Sequence, residues 1–481
     1  MEHLDVLIIG AGISGIGAGC HLTMKNPDRS FAIMEGRGAI GGTWDLFRYP
    51  GIRSDSDMHT FGYAFRPWVE DRDIATGDSI LKYLQDTVAA YKLNDKIRFG
   101  HRVTRVEWLS AENKWVADVT QTETETSFQI SCNFLLSCTG YYNYKAGHLP
   151  EFKDYDSFQG TIAHPQHWPQ DLDYSGKRVV IIGSGATAVT LVPAMSADAA
   201  HVTMLQRSPT YVISRPGEDA MAMKLRRWFP SKIAYRLARI KNIGISIYMY
   251  SLCQRKPEKI RAYLRGLTKK AVGPDIDVDV HFKPTYNPWD QRLCLIPDSD
   301  LFKVLRKGDA SIVTDHIDRF TETGIKLKSG QELEADIIVP ATGLAIQFMG
   351  GMEMFMDGKK LSSGDMVGYK GMLFRDIPNF SALMGYTNAS WTLKVDLTCD
   401  YMCRLLNYMK KRGYKTVAPT AEDGEITPEP MIGLKSGYIL RAADMMPKQG
   451  AKAPWRNKNS YLSDLMAIRY SKINDGVLSF N

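Results

Sequence analysis

Two glycine-rich loops, each directly after a short apolar strand, constrain this chain more than any other feature. The first follows Val6–Ile9 and reads Gly10-Ala11-Gly12-Ile13-Ser14-Gly15. The second follows Val179–Ile182 and reads Gly183-Ser184-Gly185-Ala186-Thr187-Ala188, with alanine at the third glycine position. Such a turn brings backbone and a helix N-terminus close to a pyrophosphate. The pair predicts an α/β protein with two Rossmann-like domains that hold two dinucleotides.

The residue that ends the strand after each loop predicts which dinucleotide binds there. Glu35 ends the first such strand, where a carboxylate accepts hydrogen bonds from ribose hydroxyls and repels a 2′-phosphate. This favours FAD or NAD at the first loop. Arg207 stands at the equivalent place after the second loop, and a guanidinium pairs well with a dianionic phosphate. The second loop is therefore predicted to bind NADPH.

The order of apolar strands predicts that one nucleotide domain is inserted in the other. Phe134–Gly140 and Ala335–Gly343 both end in Thr-Gly, and we expect the chain to cross between domains at these strands. Residues 216–289 show no strand pattern and are rich in basic and aromatic side chains, which predicts helices. The expected parts are an FAD-binding domain (1–145, and 336–481 with the C-terminal region), an NADP-binding domain (146–215 and 290–335) and a helical insertion (216–289).

Local patterns predict further elements. Ile80–Tyr91 and Cys399–Lys411 have the apolar spacing of helices. Ile97–Phe99, Val103–Trp108 and Trp115–Val119 alternate like strands of one antiparallel group.

Charge and cysteine content narrow the class of protein. The net charge of +7 is mild and suits an anionic cofactor or a membrane surface, and no nucleic-acid-binding pattern accompanies it. Seven cysteines without a CxxC pair predict neither a disulfide framework nor a metal site and fit a reducing cytosol. The first strand begins almost at once, and no apolar run is long enough for a membrane span. We expect a cytoplasmic protein, with peripheral membrane contact left open.

The segment after the first nucleotide unit argues against a disulfide reductase. Such an enzyme needs a redox-active cysteine pair close to the flavin, yet Gly41-Gly42-Thr43-Trp44 stands there. No cysteine occurs between Cys20 and Cys132. A reduced flavin in this chain therefore needs another oxidant, and oxygen is the obvious one.

Two longer patterns carry a family resemblance. Phe158–Trp168 reads FxGxxxHxxxW, and Gly41–Asp55 reads GGTW, four residues, YPG, three residues, then Asp. Both resemble the fingerprints of type I Baeyer–Villiger monooxygenases, and both have the expected order relative to the glycine loops. Stretches such as HPQHWPQDLDY, LQRSPTY, YNPWDQRLCL and GYTNASWTLK are similar to the ethionamide-activating subgroup of that family.

The resemblance implies an activity and a catalytic pair. In this family NADPH reduces FAD, and oxygen adds to it to form a C4a-peroxyflavin. This species converts ketones to esters or lactones and also oxygenates the sulfur of thioethers and thioamides. Arg292 matches the family's active-site arginine, a fixed cation that would stabilise anionic intermediates, and Asp55 matches the acid that positions it.

The loops and the resemblance together predict the cofactor contacts. We expect FAD to contact Gly10, Gly12, Ile13, Ser14, Gly15, Glu35, Thr43, Trp44, Asp45, Leu46, Asp55 and Val103. We expect NADP to contact Arg53, Ser54, Asp55, Gly183, Ser184, Gly185, Ala186, Thr187, Ala188, Val189, Arg207 and Ser208. The fingerprint residues Phe158, Gly160, His164 and Trp168 are assigned to the linker about which the NADPH domain rotates, and a general-base role for His164 is the weaker interpretation.

Several alternatives stay open from the sequence. A flavin monooxygenase that acts only on nitrogen or sulfur, and an NADPH oxidase or redox sensor, are the competing functions. The basic stretch within 216–289 is either a helical lid over the substrate, which we favour, or a membrane-binding face. The partners expected are a small-molecule ketone, thioether or thioamide and O2, whereas the oligomeric state is not readable from the sequence.

Overall fold

The first glycine loop belongs to a nine-stranded mixed sheet. The computed structural model describes residues 1–291, 293–422, 424–431, 433 and 436–481. Up to the first domain crossing, the elements are β1 (Glu2–Ile9), α1 (Ile13–Lys25), β2 (Phe31–Met34), α2 (Thr43–Leu46), α3 (Met58–Phe61), α4 (Gly77–Ala90), β3 (Ile97–Arg98), β4 (His101–Leu109), β5 (Lys114–Gln121) and β6 (Ser127–Ser137).

The parallel half of this sheet has the order β3-β2-β1-β6. Val6 on β1 lies opposite Phe31 on β2 and Phe134 on β6. Two strands of the predicted antiparallel group, β4 and β5, pair as expected, and the third antiparallel strand, next to β5, is β6. The prediction for Ile97–Phe99 was wrong in direction, because β3 pairs in parallel with β2 after the chain returns through helices. A three-residue alternation predicts a strand but not its partner.

The second glycine loop belongs to a five-stranded parallel sheet. After the first crossing the elements are β7 (Thr161–Ile162), β8 (Arg178–Ile182), α5 (Ala186–Met195), β9 (His201–Gln206) and β10 (Val212–Arg215). After the helical insertion they are β11 (Cys294–Pro297), α10 (Asp300–Lys307), β12 (Ala310–Thr314), β13 (Ile317–Thr321), β14 (Gly324–Leu327), β15 (Glu332–Glu334) and β16 (Ile337–Pro340).

The order of this second sheet, β12-β9-β8-β16-β7, repeats the logic of the first. The strand before each glycine loop lies between the strand that leads to the ribose-end residue and the strand that ends in Thr-Gly. On β8, Val179 lies opposite Val202 of β9 and Ile337 of β16. The expected boundary at 335/336 is therefore placed too early, since β16 is part of the second sheet. The predicted α/β class with two Rossmann-like domains is confirmed.

Four helices occupy most of residues 216–289. The helices are α6 (Ala220–Trp228), α7 (Ser231–Arg255), α8 (Pro257–Val272) and α9 (Val278–His281). Asp219 caps α6 by accepting hydrogen bonds from the amides of Met221 and Ala222. Across the residues that the structure describes, no helix combines the length and apolar character of a bilayer span.

The C-terminal part returns to the first sheet and covers it. Its elements are β17 (Glu353–Met356), β18 (Lys359–Leu361), β19 (Val367–Tyr369), β20 (Leu373–Phe374), β21 (Phe380–Ala382), α11 (Trp391–Arg412), β22 (Val417–Pro419), β23 (Pro428–Pro430), α12 (Gly437–Leu440), β24 (Lys448–Gly450), α13 (Tyr461–Asp464) and β25 (Leu478–Phe480). The strand β21 pairs with β6, and α11 packs against α1. Both predicted helices, α4 and α11, are present, and α11 begins eight residues earlier than the sequence pattern suggested.

Candidate active site

Packing explains why the first loop contains glycine. Gly10 has a φ of +100°, and its amide donates a hydrogen bond of 2.7 Å to the carbonyl of Met34. A Cβ at Gly10 would lie 2.7 Å from the carbonyl oxygen of Cys138. A Cβ at Gly15 would lie 1.8 Å from the carbonyl oxygen of Gly10. No larger residue fits either position without moving the backbone.

Glu35 connects the first loop to the end of β2. One carboxylate oxygen accepts a 2.8 Å hydrogen bond from the amide of Ala11, and the other accepts a 2.9 Å bond from the amide of Arg37. Burial raises the pKa of Glu35, and these two backbone bonds oppose the rise. Gly12 caps α1 without any side-chain hydrogen bond, so the helix N-terminus can take up an anion.

The second loop repeats the backbone geometry of the first. Gly183 has a φ of +146°, and its amide donates a 2.8 Å hydrogen bond to the carbonyl of Leu205. A Cβ there would lie 2.4 Å from the carbonyl oxygen of Ala341. Gly185 caps α5, again without a side-chain bond, and a Cβ at Gly185 would meet no atom within 4 Å. The second loop therefore opens outward.

Arg207 and Ser208 are exposed just beyond the end of β9. Among the residues that the structure describes, Arg207 has no ion-pair partner. Its guanidinium is therefore available to an anionic group at the ribose end of the second loop.

The segment 41–55, which carries the longer fingerprint, lies between the two nucleotide units. Gly42 has a φ of +57°, and a Cβ there would lie 3.1 Å from the Cα of Gly12 in the first loop. Gly51 has a φ of +75°, and a Cβ there would lie 2.6 Å from the Cβ of Ala194 on α5. The fingerprint glycines thus allow one segment to pack against both units.

Tyr49 of the same fingerprint reaches the second loop. Its hydroxyl is hydrogen-bonded to Thr187, and burial raises the pKa of Tyr49 to about 12. The phenol is therefore protonated at neutral pH and holds the fingerprint segment to the first turn of α5.

One cavity of about 520 Å³ connects these features. It is lined by residues of the first loop, the fingerprint segment, the first domain crossing and the first turns of α5. Of the predicted contacts, the lining includes Gly10, Gly12, Ile13, Ser14, Glu35, Thr43, Trp44, Arg53, Ser54, Asp55, Val103, Ala186 and Thr187. The structure therefore brings together predicted residues from both nucleotide units.

Aromatic side chains form one wall of the cavity. Trp44 meets Phe61 edge to face at 5.6 Å between ring centroids. Tyr141 stacks on Trp391 at 5.3 Å, and the indole nitrogen of Trp391 donates a 2.8 Å hydrogen bond to the Ser14 hydroxyl. This wall is flat, rigid and largely apolar, which suits a ring system.

Charged groups also line the cavity, close in sequence to the fingerprint aspartate. Asp55 lines the cavity, and Arg53 lines it while forming an ion pair with Asp300 at the start of α10. The second terminal nitrogen of Arg53 is buried and has no hydrogen-bond partner among the described residues. A buried unpartnered guanidinium nitrogen in a cavity fits an anionic or carbonyl ligand. Arg292, the predicted catalytic arginine, lies outside the described residues.

Other predicted residues lie away from this cavity. The carboxylate of Asp45 pairs with Arg37 and Arg48, and Leu46 packs into the core beside Phe47. These two side chains stabilise the short helix α2. The remaining predicted residues outside the cavity lining are Gly15, Gly183, Ser184, Gly185, Ala188, Val189, Arg207 and Ser208.

The fingerprint around His164 lies at the domain crossings. Nδ1 of His164 accepts a 3.2 Å hydrogen bond from the backbone amide of Gln166. The side-chain amide of Gln166 donates a 2.7 Å hydrogen bond to the carbonyl of Asn143 in the first crossing. Burial and the neighbouring His167 lower the pKa of His164. None of Phe158, Gly160, His164 and Trp168 lines the cavity, and a Cβ at Gly160 would lie 2.5 Å from the carbonyl oxygen of Asp336.

The two domain crossings run side by side. The backbone amide of Asn143 in the first crossing donates a 2.8 Å hydrogen bond to the carbonyl of Ala345 in the second. The amide of Gln347 in the second crossing donates a 3.0 Å hydrogen bond to the carbonyl of Tyr141 in the first. This pairing brings the ends of both Thr-Gly strands to one edge of the cavity.

Sequence reasoning missed several lining residues. Tyr141 follows the first Thr-Gly directly, and Tyr386 and Trp391 belong to a stretch that entered only as part of the family resemblance. The available signal was the pair of tyrosines, Tyr141 and Tyr142, directly after the first Thr-Gly. The direction in which Tyr141 points depends on its stacking against Trp391 of the distant helix α11.

Comparison with known proteins places the chain among flavin enzymes. A family model described as flavin-binding monooxygenase-like matches residues 5–251. The probable FAD-binding monooxygenase AlmA of Acinetobacter baylyi is 52% identical over 482 residues, which cover 100% of this chain and 96% of that protein. The FAD-containing monooxygenase EthA of Mycobacterium tuberculosis is 50% identical over 480 residues, with coverage of 100% and 98%.

Solved structures share the whole fold. A steroid monooxygenase in its oxidised form, bound to NADP, matches with a TM-score of 0.78 and 22% identity over 99% of each chain. An open crystal structure of cyclohexanone monooxygenase matches with a TM-score of 0.76 and 19% identity over 100% of each chain. At these identities the likeness concerns the fold.

Proposed function

The chain belongs to the flavin-binding monooxygenase-like family, and from this premise we propose that it is a Baeyer–Villiger monooxygenase. FAD and NADPH are its cofactors, in keeping with the relatives named as FAD-containing or FAD-binding and with a structural neighbour that holds NADP. The proposed reaction consumes a ketone, O2, NADPH and a proton and yields an ester or lactone, water and NADP. The same site is proposed to oxygenate the sulfur of thioethers and thioamides.

A single observation carries this proposal: both nucleotide units contribute to one cavity. Glu35 and Gly12 line it from the first unit, and Ala186 and Thr187 line it from the first turn of α5. A hydride can pass from a nicotinamide to a flavin only when the two rings meet. A shared chamber with an aromatic wall supports that meeting.

The residues of the first unit fit FAD. Gly10 and Gly12 leave room for a pyrophosphate, the uncapped start of α1 faces it, and the buried carboxylate of Glu35 can accept hydrogen bonds from ribose hydroxyls. FAD held by these residues would supply the hydride acceptor for NADPH and the means of transferring one oxygen atom of O2 to the substrate. The aromatic wall of Trp44 and Trp391 supplies flat apolar surface that excludes water from this chemistry.

The residues of the second unit fit NADPH. The exposed Arg207 can pair with the 2′-phosphate, and the amide-rich start of α5 can hold the pyrophosphate. Because Gly185 faces open space, a cofactor can enter and leave this loop while the first loop remains enclosed.

We assign charge stabilisation to the group of side chains near Asp55. Oxygen transfer to a ketone places negative charge on the carbonyl oxygen, and a fixed cation lowers the barrier to that step. Arg292 is proposed as the main cation, with Asp55 as the residue that positions it, on the basis of the fingerprint match. Arg53 presents a second cation in the cavity, and its pairing with Asp300 limits its motion.

We propose ketones as substrates, in addition to heteroatoms, because of the fingerprint in segment 41–55. Its Trp44 and Asp55 both line the cavity, as expected for a fingerprint that belongs to the Baeyer–Villiger group. The test is product analysis by mass spectrometry after turnover with NADPH, labelled oxygen gas, a simple ketone and an aryl methyl sulfide.

An ester that carries one labelled oxygen atom supports the proposal. Sulfoxide without ester assigns the chain to heteroatom oxygenation instead. Consumption of NADPH with hydrogen peroxide as the only product, across a panel of ketones of increasing length, contradicts the proposal and favours an oxidase. The Arg292→Ala variant is expected to lose ester formation while NADPH still reduces the flavin.

A further inference from the structure

The positive charge of this chain is concentrated in one helical stretch. Residues 220–272, which contain α6, α7 and α8, hold fourteen lysines and arginines and a single acid, Glu258. The whole chain has a net charge of only +7, so the other residues together are net negative. Five of the fourteen form ion pairs with acids, whereas the other nine are exposed and pair with no acid among the described residues. A group of exposed cations of this density attracts an anionic surface.

One face of α7 is buried against the FAD-binding domain. The Tyr235 hydroxyl donates a 3.1 Å hydrogen bond to the carbonyl of Tyr63, and Arg239 donates a 2.7 Å bond to the carbonyl of Gly62. Ala234 and Ala238 are buried on the same side. These contacts fix which face of the helix points outward.

The opposite face of α7 exposes an apolar stripe. Ile233, Leu237, Ile240 and Tyr248 are all exposed, and their spacing of four, three and eight residues places them on one side of the helix. Trp228, which ends α6, is 74% exposed. Nearly half of the exposed large hydrophobic side chains in the described part of the chain lie within residues 220–272. Single exposed hydrophobic residues are ordinary, whereas a continuous stripe marks an interaction surface.

Basic side chains flank this stripe. Lys232 and Arg236 are exposed beside it on α7, and neither pairs with an acid among the described residues. On α8, exposed basic and apolar side chains recur along one side at Lys259, Tyr263, Leu267 and Lys270. We call the exposed sides of α6, α7 and α8 the basic-apolar face.

The basic-apolar face does not cover the active-site cavity. None of residues 216–289, all of which the structure describes, lines that cavity. The expectation of a substrate lid therefore has no support in the lining residues. The exposed stripe on this face needs another explanation.

We propose that the basic-apolar face binds the surface of an anionic phospholipid bilayer. Lysine and arginine side chains are attracted to anionic headgroups, while Trp228 and the aliphatic stripe insert at the boundary between headgroups and acyl chains. In this arrangement the axis of α7 is parallel to the membrane plane and its apolar stripe faces the lipid. The opposite, buried face of α7 packs against the rest of the enzyme, which lies on the aqueous side.

The charge on this face argues against the other occupants. A second copy of the chain would bring an equally basic face against the first, and like charges would repel. Nucleic acid phosphates would pair with the basic residues, but they would form no favourable contact with the aliphatic side chains of Ile233, Leu237 and Ile240. An anionic bilayer satisfies both the charge and the apolar stripe.

The experiment is co-sedimentation of the FAD-loaded full chain with two kinds of vesicle. One kind consists of phosphatidylcholine alone, and the other also contains phosphatidylglycerol. We expect binding to the anionic vesicles only, weakened by added salt. The assay measures lipid binding without catalysis, so its failure is distinct from a failure of the proposed function.

Two variants test the two components of the face. Lys232→Gln/Arg236→Gln/Lys259→Gln removes three charges and is expected to weaken binding on the order of 100-fold. Trp228→Gln/Ile240→Gln/Tyr248→Gln removes apolar contacts and is expected to weaken binding by at least about tenfold, with salt sensitivity retained. All six side chains project from the exposed face, so folding and flavin content are expected to stay unchanged.

A matched variant controls for net charge. Lys328→Gln/Lys359→Gln/Lys411→Gln removes the same charge from exposed sites outside the insertion and is expected to change binding by less than about threefold. Equal loss in this control and in the face variant would overturn the proposal. So would equal binding to neutral vesicles, no binding to anionic ones, or a face variant that alters only self-association or DNA binding.

Discussion

The two nucleotide units share a backbone plan and differ in their surroundings. In each, the first glycine donates to the strand that leads to the ribose-end residue and packs against the residue before a Thr-Gly pair. Around the first loop, Gly42 approaches Gly12 and the Glu35 carboxylate is buried. Around the second loop, Gly185 faces open space and Arg207 is exposed.

This difference separates local pattern from environment. The same strand, glycine turn and helix make an anion site in both places, because the chemistry lies in the backbone amides. Whether that site is enclosed depends on the segment packed over it, and segment 41–55 covers the first loop. We infer that the first unit retains its cofactor and the second exchanges it.

The largest expected effect comes from the first glycine of the first loop, compared with the second glycine of the second loop. Gly10→Ala introduces a Cβ that collides with the Cys138 carbonyl at a φ of +100°, so we expect a loss of at least about 3 kcal/mol in the free energy of unfolding and loss of flavin. Gly185→Ala meets no atom within 4 Å and is expected to cost less than about 0.5 kcal/mol.

Urea unfolding and flavin content measure this contrast. Gly185→Ala should also raise the KM for NADPH, since its Cβ points to where the cofactor backbone approaches. Similar unfolding curves for the two variants would contradict the close packing of Gly10 against the carbonyl of Cys138 and the open surroundings of Gly185.

The buried carboxylate gives the next effect. Glu35→Gln replaces one acceptor oxygen by an amide donor opposite a backbone N–H, which costs about 1–3 kcal/mol. We expect FAD to bind roughly 10- to 100-fold more weakly, measured by equilibrium dialysis. The exposed Glu322→Gln is the control, and its FAD affinity should equal that of the parent chain. Unchanged affinity in Glu35→Gln would remove this residue from the FAD site.

The exposed arginine affects only the second cofactor. Arg207→Gln is expected to raise the KM for NADPH about tenfold or more and to leave that for NADH nearly unchanged, because only NADPH carries the 2′-phosphate. Stability should not change, since Arg207 has no ion-pair partner among the described residues. Steady-state kinetics with both nucleotides measures the ratio, and equal effects on both would contradict the assignment.

The smallest effect is the pH dependence that Glu35 of the first unit contributes to stability. Burial raises the pKa of Glu35, so at pH values between the ordinary and the raised pKa the folded flavin-free protein binds more protons at this carboxyl than the unfolded chain does. The contribution to stability is full below the ordinary carboxyl pKa of about 4.3 and falls as pH rises through the raised value. Chemical unfolding across this range should show a slope that Glu35→Gln reduces and Arg207→Gln leaves unchanged, while the buried Asp73, whose pKa burial raises to about 7, keeps its own contribution in both variants.

Features set by neighbouring residues could be predicted from the sequence. The glycine turns, Glu35 at the end of β2 and Arg207 after β9 depend on short spacings, and the helices α4 and α11 follow from apolar periodicity. For the same reason the helical nature of the insertion was readable, whereas its outward orientation was not.

Features set by distant contacts could not be predicted. The strand β3 pairs in parallel because helices return the chain to β2, and β16 joins the second sheet because it pairs with β8. Tyr141 and Trp391 stack although 250 residues separate them. Asp45 forms ion pairs with Arg37 and Arg48, in a place where the resemblance suggested a flavin contact.

The sequence by itself determined that this chain has two anion-binding turns. It also placed an acidic residue, Glu35, where the ribose of the first cofactor would bind and a basic residue, Arg207, at the equivalent place for the second. These properties are local, since backbone conformation and charge at such turns depend on a few adjacent residues. Only the tertiary structure decided that both units open into one cavity, that one loop is enclosed, and that the basic helices face away from the site. These depend on close packing between segments far apart in the chain, which spacing along the sequence does not specify.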